Sequence, residues 1–284
     1  MNAKKFAGDY TDSELMAVVA AREIRNGEKV IVGIGLPMIA GFLAMHNHAP
    51  KSMLIFEGGY VGGRPPVACT DVGDSALGYL APYVTSLWRT FSDLQRGFFD
   101  LAIIGAAQID KHGNVNSTAL FGKGNYRRPG VRLPGSGGAN DMASSAKRLL
   151  VMTRLERKRF VQKVDYLTSP GYLRGPGARE KAGLLGKGPV GVITDKAVFG
   201  FDEETKEMYL SGIFPGVDLA EIRKKVGFKF DVSSDIDVVQ PPTREEVKFI
   251  RDFDPADFIL RRRFALHDFD FANWAKVTRC KIKK

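Results

Sequence analysis

The sequence predicts an α/β protein with a mainly parallel sheet flanked by helices. Two observations carry this. Short apolar runs, Val30-Ile31-Val32, Met53-Leu54-Ile55-Phe56 and Leu101-Ala102-Ile103-Ile104, are too brief for buried helices. Between the first two lies a longer apolar stretch of helical character, and strands separated by helices imply parallel neighbours covered on both faces.

Taken in order, Thr11-Asp12-Ser13 offers side-chain oxygens for a helix N-cap. Residues 14–25 follow as a helix, with Leu15, Val18, Val19 and Ile24 on one apolar face, and Asn26-Gly27 ends it. Residues 30–33 form a strand, Gly33-Ile34-Gly35 a tight turn, and residues 36–46 a second helix. The strand at 53–56 stops at Glu57, and the strand at 101–105 leads towards Gln108. Residues 122–140 are rich in glycine, proline and polar side chains and read as a long loop, a feature usually kept for function. Strands are expected at 149–153 and 190–194, separated by an irregular Pro/Gly segment at 169–177, and helices at 218–225 and 245–252. No internal repeat or domain boundary interrupts residues 1–284, read as one domain with a basic, aromatic tail from about 258.

Composition narrows the function. Hydrophobic residues make up 44% and charged residues 26% of the 284, as in ordinary globular proteins. No apolar run approaches the roughly 20 residues of a membrane span, and the N-terminus carries no apolar signal core. Two distant cysteines, Cys69 and Cys280, indicate neither a disulfide framework nor a zinc site and fit a cytoplasmic setting. The net charge of +10 is scattered, with clusters at 154–159, 261–263 and 281–284. Such runs read as solvated or partner-facing surface, or as steering for a phosphorylated ligand; no nucleic-acid module accompanies them. His46, His48, His112 and His267 lack metal-ligand spacing, so no metal site is expected.

Four segments can carry chemistry. Glu57 stands at a strand end, where α/β proteins collect ligands, and Gly58-Gly59 leaves it sterically open; it is equally a solvated acid. Gly33-Ile34-Gly35 departs from the dinucleotide fingerprint at Met38 but can still receive an anion or simply pack strand on helix. Gly135-Ser136-Gly137-Gly138-Ala139-Asn140 can expose successive N–H groups as an oxyanion nest, or be a flexible loop. Gln108 can donate to a carbonyl, and residues 110–113 read as a turn.

In series with Ala107-Gln108-Ile109-Asp110, Gly113-Asn114-Val115-Asn116-Ser117-Thr118 and Thr168-Ser169-Pro170-Gly171, these segments resemble class I coenzyme A transferases, in particular the glutaconate CoA-transferase B-subunit family. The resemblance runs from about residue 10 to about residue 254 and includes Arg157-Lys158-Arg159-Phe160, Gly175-Pro176-Gly177 with Arg179, and Val192-Ile193-Thr194-Asp195-Lys196. It implies a CoA-transferase-type domain paired with an A-type (alpha) partner in a heterodimer or heterotetramer, with the active site between them. It also implies coenzyme A as substrate, with no permanently bound cofactor. By the same resemblance Glu57 is the nucleophile, and Gln108, Gly137, Gly138 and Ala139 belong to the acyl-binding and oxyanion region. Gly33, Gly35, Gly58, Gly59 and Asn140 are expected along the approach of CoA or substrate. The family usually has Glu-Ser-Gly where this chain has Glu57-Gly58-Gly59, so a hydroxyl beside the nucleophile is missing.

The activity implied is ping-pong transfer of CoA from a glutaconyl-like or other dicarboxylyl or oxo-acyl thioester to a free acid. Relatives of this fold include ring-opening CoA-thioester hydrolases, which remain an alternative, and decarboxylases with cysteine in place of the glutamate, which Glu57 argues against. A non-catalytic interaction subunit is the alternative from a different class.

Overall fold

The computed structural model describes residues 5–260. Helix α1 (Asp12–Arg22) begins at a capping box: the Thr11 hydroxyl accepts from the Glu14 N–H, and the Glu14 carboxylate accepts from the Thr11 N–H. It stops earlier than Asn26-Gly27 because the Glu23 N–H turns back to Ala20 and Ala21; Gly27, at φ +89°, instead serves the turn into β1 (Lys29–Val32). Gly35 is the N-cap of α2 (Leu36–His46), with Pro37 in its first turn, where a missing N–H costs no hydrogen bond. Strand β2 (Met53–Ile55) follows, and then the alternation breaks. Two short antiparallel strands, β3 (Tyr60–Val61) and β4 (Tyr83–Val84), extend the sheet outward, and α3 (Leu87–Gln95) returns the chain to β5 (Leu101–Gly105).

A hairpin pairs β6 (Gln108–Ile109) with β7 (Val115–Asn116) around the turn expected at 110–113. Another pairs β8 (Ala119–Leu120) with β9 (Val131–Arg132), so the stretch expected as one long loop at 122–140 is partly ordered. Helix α4 (Ala139–Ser145) already begins inside the 122–140 stretch, because Met142 N–H bonds back to the Gly138 carbonyl. Strand β10 (Arg148–Met152), short helix α5 (Ala178–Lys181) and strand β11 (Pro189–Ile193) follow. Beyond 194 the sheet continues unexpectedly through β12 (Ala197–Phe201) and β13 (Met208–Ile213). Helix α6 (Leu219–Lys225), strand β14 (Asp231–Val238) and helix α7 (Arg244–Phe253) complete the described elements. The aromatic, basic tail expected from about 258 lies, beyond Leu260, outside the described residues.

One ten-stranded sheet runs β14-β13-β12-β11-β10-β5-β1-β2-β3-β4. Its central strands β11, β10, β5, β1 and β2 are all parallel, and antiparallel strands flank them on both sides. Alternate residues of the central strands feed two cores. Val30, Val32, Leu101 and Ile103 join α1, α2 and α7 on one face. Ile31, Ala102, Ile104 and Val151 join α3, α4 and α6 on the other. The chain moves outward from β1 to β2 and later returns to the other side of β1 as β5, which makes the carboxyl ends of β1 and β5 a topological switch point. The opposite ends are tied by ion pairs: Lys29 and Lys147 both hold Asp100, and Arg148 holds Glu28. At the far edge, β14 carries Asp231, Asp235 and Asp237. Among the described residues no helix is long and apolar enough to cross a membrane.

Helix α7 is locked to α1 by Arg251, which donates from Nε to Glu14 at 2.7 Å while Glu14 also caps α1. Glu14 is buried, so Glu14→Ala removes half of the capping box together with one partner of Arg251, which keeps Asp9. A loss of about 1–2 kcal/mol is expected in urea unfolding, with the slope of the transition unchanged.

Candidate active site

Glu57 occupies the first of two central positions in a turn immediately after β2, closed by the Gly59 N–H on the Phe56 carbonyl at 2.9 Å. The turn is compressed by its surroundings. A side chain at Gly58 would place Cβ 2.5 Å from the Val72 carbonyl oxygen, and one at Gly59, where φ is +98°, would place it 1.9 Å from that of Thr85. Glycine is therefore demanded at both positions by approaching backbone, which also explains why the family's serine is absent at 58.

The loop at 135–138 reaches Glu57 from the other side. Gly137 adopts φ +50°, and the backbone N–H of Gly138 is turned towards the Glu57 carboxylate, favouring its ionised form. A Cβ on Gly138 would lie 2.9 Å from Glu57 Oε1 and 2.3 Å from the Phe91 ring, so the missing side chain is what lets nucleophile, loop and ring meet. Ala139 opens α4, whose first turn carries Asp141; Gln95 of α3 donates to Asp141 at 3.0 Å and fixes the two helices together. Burial raises the Glu57 pKa above its ordinary value of 4.5; the Gly138 N–H opposes this, and the charges of Asp71 and Asp141 add to it.

The other expected residues are placed differently. Gly33 lines a cleft at the β1–β5 switch point, together with Gly105, Thr153, Arg154 and Arg159, and Gly35 sits just beyond as the α2 N-cap. Asn140 is exposed on α4, with its carbonyl accepting from Ser144. Gln108 is buried and bonded within the chain: its Oε1 accepts from Asn116 and from the Asp165 N–H, and its Nε2 donates to Asp165. Its amide knits β6 to β7 and to the 165 segment. The neighbouring motif residues do similar work. Asn114 bonds Asp110, Gly171 and Leu173, while Asn116 and Thr118 engage Thr168.

The basic run is also less free than its sequence implies, since Arg157 donates to the Val226 carbonyl and Arg159 to that of Ala106. His46 stacks on Phe249, His48 and His112 bond backbone carbonyls, and burial pushes the Cys69 thiol up to about 12. His267 and Cys280 lie outside the described residues.

Phe91 emerges only from the structure, where it forms a wall beside Gly138. Arg179, which the resemblance included without a role, is buried with its guanidinium bonded to the carbonyls of Ala143, Pro170, Gly171 and Gly186, which fastens α4, and with it the loop facing Glu57, to the rest of the fold.

A profile of the coenzyme A transferase family matches residues 13–225. The chain belongs to this family. Among its CoA-transferase relatives it is 38% identical over 260 residues to the B subunit of glutaconate CoA-transferase from Acidaminococcus fermentans, covering 89% of this chain and 96% of that one. It is 36% identical over 243 residues to the B subunit of 3-oxoadipate CoA-transferase from Pseudomonas knackmussii, covering 85% and 92%. The crystal structure of glutaconate CoA-transferase from A. fermentans matches with a TM-score of 0.82 at 36% identity, over 89% of this chain and 98% of that chain. The large, mainly parallel sheet flanked by helices is thus the CoA-transferase architecture.

Two outcomes follow from the geometry. Gly58→Ser must displace the 71–73 backbone, with an expected loss of about 1–3 kcal/mol in thermal unfolding. Because Glu57 holds its proton more tightly folded than unfolded, stability falls as pH rises from 4.5 through its folded-state pKa. Glu57→Gln should accordingly melt higher than the parent at neutral pH, the gap closing as pH is lowered below 4.5.

Proposed function

We propose that this chain is the nucleophile-bearing B-type subunit of a heteromeric CoA-transferase, with Glu57 as the group that carries first the acyl group and then CoA. The observation that supports this reading most directly is the meeting of the Glu57 carboxylate with the Gly138 N–H at the carboxyl end of a parallel sheet. Relatives acting on glutaconate and 3-oxoadipate, by their names, favour dicarboxylyl or oxo-acyl thioesters as substrates.

In the first step a Glu57 oxygen attacks the thioester carbonyl of the donor, and the C–S bond breaks to give an acyl-glutamyl anhydride and CoA thiolate. The thiolate attacks the Glu57 carbonyl carbon, releasing the donor acid and leaving Glu57 as its CoA thioester. The carboxylate of the acceptor attacks that thioester and expels the thiolate again, which then attacks the acceptor carbonyl. The products are the new acyl-CoA and free Glu57 carboxylate. Each attack builds negative charge on a carbonyl oxygen. When Glu57 is itself the carbonyl attacked, we assign the Gly138 N–H to that oxyanion, a donor of a kind that contributes about 3–4 kcal/mol in other enzymes.

The raised pKa fits the role. A more basic carboxylate is a better nucleophile once ionised. Coenzyme A enters as substrate, and no resident cofactor is required by this chemistry. Arg154, exposed at the switch-point cleft, is suited to attract its phosphates.

The test is to treat the assembled enzyme with an acyl-CoA, reduce with borohydride and map peptides by mass spectrometry. Reduction of a Glu57-CoA thioester to an alcohol should appear at Glu57 alone, and Glu57→Gln should lose both the label and turnover, by on the order of 1,000-fold or more. Turnover with Glu57 unmodified would reject the covalent route. Hydrolysis of the thioester without transfer to an added carboxylic acid would assign a hydrolase instead.

A further inference from the structure

We propose that the ridge formed by residues 79–88 is the surface on which the A-type partner docks, and that this docking is what closes the site over Glu57. The proposal rests on the heteromeric reading above and adds to it the surface and its link to the nucleophile.

The ridge is built for contact. Tyr79, Leu80, Tyr83, Val84, Leu87 and Trp88 are all at least half exposed, with Trp88 at 68% and Leu80 at 67%. Residues 75–88 contain no charged side chain, in a protein that is 26% charged. An uncharged run presenting two tyrosines and a tryptophan has the composition of an interface core rather than of solvated surface. Its strand, β4, is also the terminal strand of the ten-stranded sheet among the described residues, the position at which a further strand can add.

The same ridge is mechanically continuous with the nucleophile. Tyr60 and Val61, which follow the Glu57 turn, pair with Val84 and Tyr83. The Thr85 N–H donates to the Gly59 carbonyl at 2.9 Å, and the Thr85 carbonyl lies where a Gly59 side chain would be. One turn beyond Trp88 on α3, Phe91 touches the Gly138 position. A chain seated on the ridge therefore lies beside a carboxylate that is only half-buried when this chain stands alone.

The occupant is a different chain rather than a second copy. Relatives whose length this chain almost fully covers are named as the B subunits of their enzymes.

The experiment uses the full-length chain, co-expressed and titrated with its A-type partner from the same source. Trp88→Glu and Leu87→Glu leave the isolated chain's melting temperature unchanged, since both side chains project into solvent. Each is expected to weaken assembly by at least about 30-fold, the loss typical of an interface hot spot. Turnover should recover when the A-type partner is raised to saturation, and hydrogen exchange at 79–88 should slow on assembly. Unchanged affinity in both variants, unchanged exchange at 79–88, or self-association through the ridge would overturn the proposal. Ridge-dependent assembly without CoA transfer would uphold the docking surface and reject the catalytic reading; an assembled Glu57→Gln complex without turnover separates the two.

Discussion

Everything at the candidate site depends on backbone coming closer to backbone than side chains allow. At positions 58, 59 and 138, three segments distant in sequence converge on Glu57: the 71–73 turn, the strand end at Thr85, and the 135–138 loop with Phe91 behind it. Each needs a hydrogen where other residues carry Cβ. The arrangement gives the carboxylate a partly desolvated setting without enclosing it, which sets its proton affinity and leaves one face open to a large substrate. A rigid frame makes this possible. The opposite end of the sheet is held by Lys29, Asp100, Lys147, Arg148 and Glu28, so the glycine-rich end can be irregular without loosening the strands.

The parallel centre of the fold was legible because its strands are buried on both faces and so read as unbroken apolar runs. The bounds of α2 and β5 match their expected ranges, and β1, β2, β10 and β11 lie within a residue of theirs. What escaped is equally physical. Helix α3 escaped although Leu87, Phe91 and Leu94 recur at i, i+4 and i+7; of its residues only Thr90 and Leu94 are buried, and Leu87 and Trp88 are exposed. Strand β13 does alternate, with Met208, Leu210 and Gly212 buried, but glycine at the third position blurs the pattern. The bonds holding Gln108, Asn114 and Asn116 join segments about 50 residues apart, and no local pattern encodes such a partner.

Of the site, Glu57 and the 137–139 loop were legible and the structure brings them together. Their proximity comes from the 135–138 loop, which leaves the separate β8–β9 hairpin for α4 and reaches the carboxyl end of β2 on the way, a path the alternation of elements does not encode. The Gln108–Asn116–Thr168 network and the Arg179 guanidinium satisfy carbonyls and amides that irregular loops leave without secondary-structure partners.

The two margins of the ten-stranded sheet are unlike each other. One ends in β14, studded with Asp231, Asp235 and Asp237, where a neighbouring strand would meet a row of like charges; the other ends in uncharged, aromatic β4. Lateral growth of the sheet is thereby polar, permitted at one margin and repelled at the other. Among the described residues, a strand approaching one margin meets carboxylates while a strand approaching the other meets none, so the sheet carries a direction in charge as well as in chain order.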